Sequence, residues 1–116
     1  MKSERNPAGS VADMLEASEQ IAGFIRGMTF EEFAADRKTI FAVIRGLEII
    51  GEAVRGVPQS SRQKYSQIPW REIAGMRDKL IHDYSGVNLN VVWNAATINL
   101  PAIKPELRHL LNELGG

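Results

Sequence analysis

Between Arg37 and Arg55 the apolar residues Ile40, Val43, Ile44, Leu47, Ile50 and Val54 recur at intervals of three and four. That spacing draws one apolar stripe along an α-helix and has no meaning on a strand, where side chains alternate with period two. The stripe is long enough to be a full helix of a bundle. Gly46 and Gly51 interrupt it, and a helix-interior glycine costs about 1 kcal/mol against alanine. Two such glycines imply a packing reason, which is the close approach of another helix, either within the chain or from a second copy.

The rest of the chain repeats the helical pattern. Val11, Met14, Leu15, Ile21, Phe24 and Ile25 form a first stripe, with Ser10 or Asp13 as candidate caps and Gly27 as the stop. Thr29 and Glu32 have capping-box spacing, so a short helical turn follows, with Phe30 and Phe33 plugging one end. Asp36 is positioned to cap the second long helix. After the loop at Gly56–Ser61 and a short turn to Tyr65, Pro69 opens a third long helix whose inward side is Trp70, Ile73, Met76, Leu80 and Ile81. Asn88 or Asn90 caps a last region carrying Val91, Val92, Trp93, Ala96, Ile98 and Leu100, and Ile103, Leu107, Leu110 and Leu111 resume the stripe. Pro101 and Pro105 each remove a helical hydrogen bond, which predicts a kink or break near Asn99. No run reads as a strand. The expected fold is all-α, an up-and-down bundle of four main helices with short extra helical turns. Residues 1–10 read as a mobile polar leader and residues 11–114 as one helical domain.

Composition narrows the function classes. With 116 residues the chain can bury a real core. It has no cysteine, which excludes a thiolate metal site and a cysteine nucleophile and fits a reducing, cytoplasmic setting. No stretch is apolar for the length of a membrane span, and no apolar leader follows Met1. The formal net charge is zero, so bulk positive potential does not draw this chain to nucleic acid; a cationic cleft would have to be local, gathering Arg71, Arg77 and Lys79 from two chains. There is no phosphate-binding glycine loop and no nucleotide fingerprint. Glu48 and Glu52 lie near each other on the second long helix without a histidine beside them, a poor basis for a metal site, and neither a metal nor a cofactor is expected. Arg45, Glu48, Glu52 and Arg55 share a face that reads either as a solvated, ion-paired surface or as a polar wall towards the residues discussed next.

The chemistry is concentrated in Met76-Arg77-Asp78-Lys79-Leu80-Ile81-His82-Asp83-Tyr84. On a helix, Asp78 and His82 are i,i+4 neighbours, so the carboxylate can accept a hydrogen bond from the imidazole. Arg77 and His82 are five residues apart, about 140° around the axis and roughly 7.5 Å along it. A regular helix does not aim both at one small target. Either the last turn distorts or a second copy of the chain supplies part of the site. The ordinary reading of the same residues is a helix C-terminus, where cations and histidine are favoured by the helix dipole. His109 reads as surface, and Trp70 as core.

Arg77-x4-His82-x-Tyr84 resembles the R-x4-H-x-Y signature of the HepT-like toxins of the HEPN superfamily. Asp36-Arg37-Lys38-Thr39, the run Ala42–Ala53, the run Tyr65–Met76, Val91-Val92-Trp93 and Leu100-Pro101 resemble the same family in the same order, from about Ala12 to Leu111. The resemblance implies a HEPN-like homodimer acting as a metal-independent endoribonuclease, with Arg77 and His82 catalytic at a cleft between two copies. It also implies a nucleotidyltransferase antitoxin as partner, with Tyr84 at the position that such a partner modifies with AMP. The residue types suit cleavage of RNA. His82 titrates near neutrality and serves as acid or base, Arg77 presents a planar cation to phosphate oxygens, and Asp78 and Lys79 support them. Asp78 stands where the family more often has Asn. Two further readings stay open: a non-catalytic helical partner of a nucleotidyltransferase, and a dimerising bundle whose motif is only a helix end.

Overall fold

The computed structural model describes residues 6–82 and 88–115; of Arg77, Lys79, Ile81 and His82 it describes the backbone alone. The described elements are helices, in the order α1 (Pro7–Phe24), α2 (Phe30–Ala34), α3 (Arg37–Ala53), α4 (Gln59–Lys64), α5 (Trp70–His82), α6 (Leu89–Asn94) and α7 (Leu100–Glu113). A 3₁₀ turn, Val54–Gly56, follows α3, and a π turn, Ala95–Asn99, joins α6 to α7. The long members α1, α3, α5 and the α6–α7 unit make the four-helix, up-and-down bundle that the periodicity predicts.

The first helix starts earlier than expected. Asn6 is its cap, accepting from the Gly9 N–H at 2.7 Å, and Pro7 occupies the first turn, where its missing N–H costs nothing. Residues 7–10, assigned to the leader on sequence, are therefore helical, and Ser10 is buried rather than capping. Residues 1–5 lie outside the described residues. Phe24, placed on the inward stripe by its spacing, is 44% exposed, and Ala17 and Ser18 occupy the buried side instead. The reason is the neighbour. A Cβ on Gly46 of α3 would stand 2.7 Å from Ile21 Cγ1, and a Cβ on Gly56 would overlap the Ser10 side chain. Small residues on both helices let α1 and α3 approach closely, and the pairing of 21 with 46 and 10 with 56 makes them antiparallel.

The other caps follow the sequence. Thr29 and Glu32 form a reciprocal capping box, with N···O distances of 3.1 and 2.9 Å. Asp36 accepts from the Thr39 N–H and hydroxyl at 3.1 and 2.9 Å, and these bonds hold its carboxyl below the usual aspartate range. Asn88 caps α6 through the N–H groups of Asn90 and Val91. Gly27, with φ of 78°, ends the turn after α1. Phe33, fully buried, lies 5.1 Å from the Trp93 ring and Phe30 lies edge-on to the same ring at 6.1 Å, closing one end of the bundle as predicted.

The break expected near Asn99 is a π turn instead. Pro101 has no N–H to offer the Thr97 carbonyl, and the ladder widens over Ala95–Asn99 before α7 resumes. Lys104 and Arg108 of α7 pair with Glu19 of α1 at 3.4 and 3.1 Å, and Lys64 of α4 pairs with Glu113 at 2.9 Å. No helix among the described residues is long and apolar enough to cross a membrane.

Candidate functional site

Helix α5 carries the motif. Pro69 gives its carbonyl to the Ile73 N–H at 3.0 Å, so it stands just before the helix rather than inside the first turn. The Trp70 indole donates to the Tyr65 carbonyl at 3.1 Å and is 7% exposed, which fixes the start of α5 in the core, as expected for Trp70. Leu80 is 5% exposed, and Ile73 and Met76 pack against the core from partly buried positions. The apolar side of α5 is therefore anchored from its first residue to within one turn of its end.

That anchoring sets what the motif's backbone does. The helix runs without interruption from Trp70 to His82. Positions 77 and 82 thus belong to one continuous α-helix, separated by about 140° of rotation and roughly 7.5 Å of rise. Asp78 is exposed and is not a free carboxylate. The side chains of Arg77, Lys79 and His82, and the whole of Tyr84, lie outside the described residues. Among the described residues, no group of three or more histidines or carboxylates stands close enough to hold a metal ion.

Two further surfaces stand out in the structure. One is an apolar groove of about 370 Å³ between α3, α5 and the π turn, lined chiefly by Leu47, Ile50, Ile73, Met76, Leu100 and Ile103. Among the described residues its lining holds one carboxylate, Glu72, in otherwise largely apolar walls. The other is the outer face of α3. Arg45 and Glu48 pair there at 3.3 Å on exposed and half-buried side chains, which is the solvated, ion-paired surface foreseen as one of its two readings. Phe41 projects from the same helix, 64% exposed. The signal for it was present: position 41 falls off the stripe of Ile40, Val43, Ile44 and Leu47. His109 is exposed on α7.

The family model for HepT-like ribonucleases matches residues 14–110, which run from within α1 to within α7 and include residues 76–84. The chain belongs to the HepT-like ribonuclease family. Relatives agree over nearly their full lengths. A probable ribonuclease HepT of Thermococcus cleftensis is 45% identical over 92% of this chain and 97% of its own. A protein of Methanocaldococcus jannaschii named as a candidate RNase is 44% identical over 90% of this chain and 86% of its own. Another candidate RNase, from Caldanaerobacter subterraneus subsp. tengcongensis, is 38% identical over 94% and 97%. No solved structure matches the chain. Within this HepT-like bundle, positions 77 and 82 fall on the last two turns of α5.

Proposed function

We propose that this HepT-like chain is an endoribonuclease toxin that cuts RNA without a metal, at a site completed by two copies of the chain. The observation that carries the reading is the continuity of α5. Positions 77 and 82 lie on one unbroken helix, about 140° apart around its axis, and this backbone separation supports a site shared between two copies. Two copies related by a two-fold axis would bring Arg77 of one towards His82 of the other.

The chemistry then runs as follows. His82 takes the proton of a ribose 2′-hydroxyl as its oxygen attacks the adjacent phosphorus. Arg77, always charged, holds the phosphate oxygens with its planar fork while negative charge accumulates. The bond to the 5′-oxygen breaks, and His82 returns the proton to that oxygen, leaving a 2′,3′-cyclic phosphate and a free 5′-hydroxyl. Asp78, one helical turn before His82, orients the imidazole and favours its protonated form. Lys79 adds positive charge at the rim. Tyr84 follows immediately, and AMP placed on its phenol by a nucleotidyltransferase antitoxin would add negative charge and bulk to the cationic cleft and close it. The setting is the cytoplasm, where such a pair would meet RNA.

The zero net charge and the ion-paired face of α3 favour the second reading, a non-catalytic partner of a nucleotidyltransferase. One experiment separates the two. RNA is incubated in excess EDTA with the purified, unmodified protein, with Arg77→Ala and with His82→Ala. The expected result is cleavage by the wild type and a loss of at least about 100-fold in each variant. Absence of cleavage by all three, with mass spectrometry showing unmodified Tyr84, would transfer the assignment to the binding partner.

A further inference from the structure

The outer face of the first half of α3 is not used by the site on α5, and its composition is unusual for a plain solvated surface. Residues 37–45 contain Arg37, Lys38 and Arg45 and no carboxylate. Arg37, Phe41 and Arg45 fall at i, i+4 and i+8, so they form one row along the helix. Within that row the Arg37 guanidinium carbon stands 5.4 Å from the centroid of the Phe41 ring. Phe41 is 64% exposed, more than Phe24, Val91 or Ile98, the other large apolar side chains left at the surface. Arg45 spends its charge in part on Glu48, 3.3 Å away.

An aromatic ring capped by arginine and flanked by further cations suits a flexible polyanion that carries flat rings. Bases stack on aromatic side chains and on guanidinium planes, while lysine and arginine take the phosphates between them. Position along the bundle adds to this. Consecutive long helices of the bundle are antiparallel, and Leu47 and Ile50 of α3 share a groove with Met76 and Ile73 of α5. In the up-and-down order the start of α3, which carries Phe41, lies at the end of the bundle where α5 finishes. A base held there would lie at the same end of the bundle as the candidate site.

We infer that Arg37 and Phe41 form a stacking platform for one nucleobase of a single-stranded RNA, with Lys38 and Arg45 on its phosphates, and that this contact sets where the strand enters the candidate site. The inference rests on the ribonuclease reading for its last clause only. A face that joined two copies or received another protein would need the apolar bulk of Phe41 but not its π face.

That difference supplies the test. The probe is a fluorescein-labelled 2′-O-methyl oligouridylate of about twelve nucleotides, which binds as a single strand and has no free 2′-hydroxyl to react. Binding to the full chain is followed by anisotropy, cleavage of the unmethylated RNA in parallel, and mass by sedimentation. Phe41→Leu and Phe41→Ala are expected to weaken binding about 5- to 100-fold, Phe41→Trp to bind as well as wild type or better, and the sedimenting mass to stay the same. Binding by Phe41→Leu equal to wild type would overturn the platform, as would no binding by the wild type or a changed mass in the leucine variant. Ring-dependent binding without cleavage would keep the platform and remove the nuclease. Cleavage by wild type with unaltered KM in Phe41→Leu would keep the nuclease and remove the platform.

Discussion

The α1–α3 seam and the α5–α7 side of the bundle are built on opposite principles. At the seam, Ala17, Ser18 and Gly46 leave room for Ile21, and the backbones approach until a single added methyl would collide. Across from it, α5 leans on α3 and α7 leans on α1, and between them lies a groove of about 370 Å³ with apolar walls. Four helices of this length do not have to leave such a gap. The difference teaches that close packing is concentrated at one seam: the closed half fixes α3, and α3 in turn fixes the inner face of α5, whose other neighbour is the groove.

The largest effect should come from the closed half. Met14 is fully buried against the seam, and Met14→Ala is expected to cost about 2–5 kcal/mol in denaturant unfolding, because the tightly packed helices leave the cavity unfilled. Gly46→Val comes next, at about 1–3 kcal/mol, since Ile21 has to move to admit the new side chain. On the open side, Ile73→Ala should cost only about 1 kcal/mol, because the side chain already borders the groove. A loss at Ile73 as large as that at Met14 would erase the contrast between the halves.

A smaller effect separates local caps from packing. Asp36 is held below its ordinary value of 3.8 by its bonds to Thr39, so the stabilisation it gives α3 is complete above that pH and disappears as the pH falls through the lowered value. Melting temperatures followed downward from neutral pH should therefore fall less steeply below about pH 4 in Asp36→Asn than in wild type. Lys64 and Glu113 work in the same sense at both ends of the scale. Their contact raises the lysine and lowers the carboxylate, so this tie between α4 and α7 weakens in strong acid and in strong alkali but not between.

These contrasts also explain what could be read from the residues alone. Thr29, Asp36 and Asn88 were legible as caps because a cap is a contact within three residues. The long stripe of α3 was legible for the same reason. Asn6 does not stand out because the polar leader offers several capping residues, and Pro7, the stronger marker of a first turn, sits in a stretch that reads as a tail. Phe24 falls on the inward stripe by spacing but is exposed, because spacing alone does not reveal that α3 comes close enough to select alanine and serine. The π turn had a visible cause in Pro101, but the sequence does not say whether a helix breaks or widens there. The groove is wholly non-local and left no trace. For the candidate site, the apolar stripe of α5 and the five-residue separation of Arg77 and His82 are legible, whereas their roles and that of Tyr84 come from resemblance to the family.

Arg77 and His82 are proposed to act from different copies of the chain, and mixing Arg77→Ala with His82→Ala is the decisive test. Arg77→Ala and His82→Ala are unfolded together, refolded together and assayed on RNA beside each variant alone. If the site is shared, half of the re-paired dimers are mixed and each carries one intact pair, so the mixture should recover up to about a quarter of wild-type cleavage. A mixture as inactive as its components, with sedimentation showing that the chains had exchanged, would contradict the shared site and return both residues to a single copy.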